Sequence, residues 1–204
     1  MKIVIIGAGS AAIAAADIIV QDRNLSIVGF IGTKEEESKL SGQKIYGNLS
    51  FIGSDNSLSN LKDEGVTGFI AAIGDNYLRE KRFYEASLDG FTPVNAISRY
   101  ALIEPTVKIG KGVLINSGCI VSHGVSIGDN TCLDPGVIIE IKTFIGENCY
   151  LCSGSIVGGM CEIQRNVVLE HRSTIKSYTV IGKNNIIKAG QLVKVNVKDK
   201  PRSK

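Results

Sequence analysis

No apolar run in the 204 residues approaches the roughly 18 that a membrane span needs. The opening stretch, MKIVIIGAGS, is too short an apolar run for a secretory signal, and a glycine-rich turn interrupts it. A cytoplasmic protein is therefore expected. The formal charge is only +3, with both signs spread along the chain. No basic patch interleaves with aromatics, which argues against nucleic acid as a partner. Five cysteines, an odd count without a signal, do not make a disulfide framework. Histidine is scarce too: His123 and His171 are the only two.

What the chain has in abundance is a period. Steps of six residues from Ile97 through Ile103, Ile109 and Ile115 to Val193 meet seventeen positions, all aliphatic. Two residues before each runs a second lane of small or β-branched residues, among them Val113, Cys119, Val125, Thr131, Cys149 and Ser155. A short strand with one large and one small inward residue, repeated, stacks into a solenoid. Three hexads make one eighteen-residue coil, so Ile-Gly recurs at 109, 127, 145 and 181, with Ile163-Gln164 breaking the series. The fitting geometry is a three-sided left-handed parallel β-helix of about five coils, stacked at roughly 4.8 Å. Glycine and asparagine cluster at its corners, where positive φ is cheap.

Before residue 97 the grammar differs. KIVIIGAGSAAIAAADIIVQD reads as a buried strand, a glycine turn and a helix. LSIVGFIG and VTGFIAAIGD read as further strands, and NYLREKRFYEAS as a helix. Alternating strands and helices give a small Rossmann-like parallel-sheet domain. The expected organisation is α/β over residues 1–96, then the β-helix over 97–204 with a basic, frayed tail.

Two loops of the first half suit a phosphate-bearing ligand. Gly7, Ala8, Gly9 and Ser10 open a G-x-G-x-x-A turn in which glycines let backbone approach and a helix N-terminus offers N–H groups. Gly74, Asp75 and Asn76 follow another strand, with Arg79 one helical turn on. Both loops belong at the carboxyl ends of parallel strands, where such sheets bind ligands. An NAD site would usually close the second strand with an acid, and that place holds Gly32-Thr33, with Glu35 to Glu37 following. A mononucleotide or nucleotide-sugar therefore fits better than NAD. Asp75 as a plain helix cap and the glycine turn as a plain connection are the simpler alternatives.

These halves in this order resemble the sugar O-acyltransferase family of the sialic acid O-acetyltransferase type, which includes UDP-4-amino-sugar N-acetyltransferases. IGAGSAA matches that family's glycine turn, AIGDNYLREKR its IGxNxxR segment, and SRYALIEPTVKIGKGVLINSGCIVSHGVSIGDN the start of its β-helix. The resemblance implies a homotrimer, acetyl-CoA between neighbouring β-helices, and a nucleotide-activated or acidic sugar as acceptor in surface glycan synthesis. It implies Gly7, Ala8, Gly9, Ser10, Gly74, Asp75, Asn76 and Arg79 at the sugar nucleotide. It implies Tyr150, Gly158, Gly159 and His171 along the coenzyme, and a β-helix histidine as general base.

The histidine is where the chain departs. The family's (D/E)H(D/E)C stretch falls on Glu140 to Thr143, and the histidine position is Ile141. His123 stands at the same phase one coil earlier, displaced by roughly 4.8 Å. A base must come within about 3 Å of its proton, or act through one water. Three readings stay open: His123 as base with Glu140 orienting it, catalysis by positioning alone, or a trimer that binds the sugar without transfer. Cys149 and Cys152 form a C-x-x-C, but zinc needs further ligands, and Cys149 falls in the small inward lane, so no metal is expected.

Overall fold

The computed structural model describes residues 1–54 and 58–201, so the end of the basic tail, residues 202–204, lies outside the described residues. The chain divides into two compact units, Met1–Ala96 and Ile97–Lys204.

The first unit is an α/β sandwich around β1 (Lys2–Ile6), β2 (Ser26–Gly32), β4 (Leu49–Ser54) and β5 (Val66–Ala71). An edge hairpin strand, β3 (Lys44–Tyr46), and β6 (Thr92–Pro93) complete the sheet in the order β3-β4-β2-β1-β5-β6. Only β3 runs antiparallel to its neighbour. The KIVII run is apolar throughout because helices cover both faces of a parallel sheet; Ile3 through Ile6 are all buried. Helix α1 (Ser10–Ile19) puts Ala12, Ala15, Ala16 and Ile19 on its buried stripe. Helices α2 (Lys34–Leu40), α3 (Leu58–Asp63) and α4 (Asn76–Leu88) follow. The β3–β4 hairpin, absent from the sequence pattern of alternating strands and helices, turns at Gly47-Asn48, with Gly47 at φ +54°. Pro93 sits on the edge strand, where no ladder donor is needed. β1 lies between β2 and β5, so the carboxyl ends of all three open on one edge.

The second unit is the left-handed parallel β-helix. Two-residue strands recur every six residues and pair with the strand eighteen residues on, as Ile120–Val121 pairs with Ile138–Ile139. The interior is the aliphatic lane, from Ile115 to Val193, alternating with buried Val113, Cys119, Val125, Thr131, Cys149, Ser155 and Ser173. The corners hold a third lane. Every sixth residue from Gly112 to Gly190 has φ between +51° and +75°. Six of these are glycine and four are asparagine; Lys142, Met160, Arg172 and Tyr178 adopt the left-handed conformation without either advantage. The asparagines also bond along the axis: Asn130 Nδ2 donates to Asn148 Oδ1 at 2.8 Å and Asn148 Nδ2 to Asn166 Oδ1 at 2.8 Å. The tail is not frayed as far as it is described. Val197 bridges Ile181 in parallel, Asp199 Oδ1 accepts from Lys183 N, and Lys200 N donates to Lys183 O, so residues 197–200 begin another coil.

Candidate active site

A cavity of about 230 Å³ lies at the carboxyl edge of the first unit's sheet. Gly7, Ala8, Gly9, Ser10 and Gly74 line it, as do Thr33, Glu36 and Arg82. The glycines divide by physical reason. Gly7 is required by the fold: its φ is +122°, and a Cβ would sit 2.4 Å from the Ala72 carbonyl oxygen. Gly9 and Gly74 are not. Gly9 has φ −87°, and a Cβ at either position meets nothing within 4 Å. Their bareness therefore keeps the cavity open rather than the chain folded. Gly9 is also the N-cap of α1, with no side chain on the first-turn N–H groups. By contrast α2 is capped by Thr33 and α4 by Asp75.

Three sequence expectations change here. Arg79 is fully buried, donating to Ile73 O at 3.0 Å and Asn76 Oδ1 at 2.6 Å. It braces the 73–76 loop instead of lining the cavity, as Arg82 does. Asp75 is a helix cap, its Oδ1 accepting from Leu78 N at 2.7 Å, and neither it nor Asn76 lines the cavity. In sequence Glu36 falls four residues after the end of β2. A capping box folds it back: its Oε2 accepts from Thr33 N at 2.8 Å, which sets a carboxylate in the wall of the cavity.

On the β-helix, His123 is exposed at a corner after the Ile120–Val121 strand. Its Nδ1 lies 3.0 Å from Thr106 Oγ1. Glu140, the expected orienter, instead accepts from Gly159 N through Oε2 at 2.8 Å. Ile141, one coil above His123, is 47% exposed. Gly158 has a purely structural reason: a Cβ would stand 2.5 Å from Ser177 N in the next coil. Gly159 lies against Ile141 and Glu140. His171 is exposed at a different corner of the β-helix, after the Val168–Leu169 strand. The Tyr150 hydroxyl donates to Asp134 Oδ1 at 3.2 Å; burial, reinforced by that carboxylate, pushes the phenol far above its ordinary range. Cys149 points into the interior and Cys152 sits half-buried outside it.

Fold and cavity define a protein with a small-ligand pocket on a parallel sheet, followed by a hexapeptide-repeat β-helix. Residues 2–86 match the PglD N-terminal domain model, and residues 106–140 match the bacterial transferase hexapeptide model of six repeats. PerB from Caulobacter crescentus, solved with CoA and GDP-perosamine, superposes with a TM-score of 0.89 at 25% identity, covering 98% of this chain and 92% of that one. The acetyltransferase domain of PglB from Neisseria gonorrhoeae, solved with acetyl coenzyme A, gives 0.63 at 19% identity, over 97% and 93%. WeeI from Acinetobacter baumannii gives 0.54 at 18% identity, over 98% and 94%; these last two speak for the fold alone. The chain thus carries a PglD-type N-terminal domain and a bacterial-transferase hexapeptide segment, and over 98% of its length it is similar to PerB.

Proposed function

We propose that this protein transfers an acetyl group from acetyl-CoA to the amine or hydroxyl of a nucleotide-linked sugar, in the cytoplasm, for surface glycan synthesis. The observation that carries the nucleotide half is the pair Gly9 and Gly74, bare for no reason internal to the fold and facing one cavity. An uncapped helix N-terminus at Gly9 suits a diphosphate, and Glu36 suits a ribose or base donor. PerB's bound CoA and GDP-perosamine support the same pairing of co-substrates.

In this reading His123 is the base. Its ring takes the proton from the acceptor nitrogen or oxygen as that atom attacks the thioester carbonyl. The C–S bond then breaks, CoA leaves as its thiol after taking up the proton, and the sugar keeps the acetyl group. The trimer is part of the proposal. The outward residues of one β-helix face, Leu102, Ile120, Ile138, Ile156 and Leu192, form an apolar stripe, interrupted by Thr174, that suits burial against a second copy. A second reading, a sugar-nucleotide binder without transfer, rests on the aliphatic, half-exposed Ile141.

Thiol release from acetyl-CoA against a panel of GDP-, UDP- and CMP-linked amino sugars tests the reading. Release with one class of nucleotide sugar is expected, from a species that light scattering sizes as a trimer. Tight nucleotide-sugar binding with no release, and release restored by Ile141→His, would establish the binder instead.

A further inference from the structure

The corner that carries His123 departs from the hydrogen-bond pattern that every later corner keeps. From Asn130 to Gly190, each left-handed corner residue donates its N–H to the main-chain carbonyl nineteen residues earlier. Lys142 N donates to His123 O, Met160 N to Ile141 O and Tyr178 N to Gly159 O in this way. Gly124 does not: its N–H goes to the Thr106 side chain, Oγ1, at 2.9 Å. The same oxygen lies 3.0 Å from His123 Nδ1. A hydroxyl thus replaces a carbonyl at the His123 corner, whereas at the corner after His171 Arg172 N keeps its bond to the main-chain carbonyl of Ser153.

We infer that Thr106 is the positioning residue of His123, fixing its ring and its tautomer for proton abstraction at Nε2. The inference rests on His123 being the base. A hydroxyl has two acceptor positions and one donor. The Gly124 N–H fills one acceptor position, and in the tautomer that a base needs the other accepts Nδ1–H, with the hydroxyl proton turned away from the ring. That arrangement leaves the Nε2 lone pair outward, as a base requires, and it persists when the ring is protonated. A main-chain carbonyl tied to Gly124 could not also rotate to serve the ring. Thr106 is itself held firmly. Pro105 restricts the backbone before it. Glu104 N donates to Val121 O at 3.0 Å and Lys108 N to Val125 O at 3.0 Å, so ladder bonds flank it on both sides and tie it to the coil that carries His123. Glu140 is engaged with Gly159 N and does not take this part.

The test uses Thr106→Val, which removes the hydroxyl at nearly constant shape, and Thr106→Ser, which restores it. Thr106→Val should lower kcat about 10- to 100-fold, the scale set by misplacing a catalytic group by about 1 Å, with the KM for acetyl-CoA unchanged. Thr106→Ser should recover most of the rate. The imidazole ¹⁵N spectrum of His123 should show the Nδ1–H tautomer in the wild type and a mixture in Thr106→Val. The double variant Thr106→Val/His123→Ala should be no slower than His123→Ala alone, because Thr106 acts only through the ring. If His123→Ala is slow while Thr106→Val keeps the full rate and the same tautomer, the positioning role is overturned and the base assignment stands. If His123→Ala keeps the full rate, the base assignment falls and this inference falls with it. A Thr106→Val that slows the double variant further shows a merely structural defect, and also overturns the inference.

Discussion

Gly7 and Gly9 stand two residues apart in one turn, and the structure gives them opposite requirements. Replacing each by alanine separates folding from binding. At Gly7 the backbone has φ +122°, and the new methyl would meet the Ala72 carbonyl oxygen at 2.4 Å. Backbone strain of about 1–3 kcal/mol and an overpacking cost of about 1–3 kcal/mol add, so Gly7→Ala should destabilise the first unit by about 2–6 kcal/mol. At Gly9, φ −87° and ψ −167° are open to alanine, and the methyl meets nothing within 4 Å. Stability should change by less than about 1 kcal/mol, since an N-cap alanine loses a little and the unfolded chain loses entropy. The methyl does enter the cavity beside the α1 N-terminus. A phosphate pushed off one or two N–H groups loses about 1.5–3 kcal/mol for each charged hydrogen bond. Two such bonds at the lower figure come to about 3 kcal/mol, or roughly a hundredfold in Kd. Titration calorimetry with the nucleotide sugar that supports thiol release, alongside thermal unfolding of both variants, measures the split. The reasoning is refuted if Gly9→Ala binds as the wild type does, or if it unfolds as easily as Gly7→Ala.

Other expectations follow from named contacts. His123→Ala should lower kcat by about 10²–10⁴-fold with little change in acetyl-CoA affinity, as steady-state and binding assays would show, because a base acts mainly in the transition state. Asn148→Ala breaks two axial hydrogen bonds and leaves at φ +55° a residue that tolerates the left-handed region less well than asparagine. It should cost about 2–4 kcal/mol in chemical denaturation, and Asn148→Gly about 1 kcal/mol less. Burial, with Asp134 and Glu170 nearby, pushes the Cys152 thiol up to about 11. A raised thiol stays protonated below its pKa, so at pH 8 about one part in a thousand is thiolate. Iodoacetamide should label Cys152 slowly in the native protein at pH 8, speed up as pH rises towards 11, and label it readily once unfolded; mass spectrometry reads all three.

The β-helix was written in the sequence because each of its lanes answers to a local rule. One inward aliphatic every six residues, a small residue two before it, and glycine or asparagine at the corners all follow from a strand of fixed length and a turn of fixed hand. The αL lane shows the limit of that rule: Lys142, Met160, Arg172 and Tyr178 are corners that composition hides, and the stacked neighbours hold them there. The glycine turn was legible for the same reason, since its requirement is backbone space. Which charged side chain faces the ligand was not. Arg79 and Arg82 share a helix and a charge, yet the pull of Ile73 O and Asn76 Oδ1 buries one while the other lines the cavity. Glu36 lies four residues past β2 in sequence, and a capping box folds it back to the strand's end. Thr106 and His123 are seventeen residues apart and meet only because one coil sits on the next. Spacing along the chain fixes what a backbone must do; the partner a side chain finds across coils or across a pocket depends on three-dimensional stacking, which the period announces without naming the pairs.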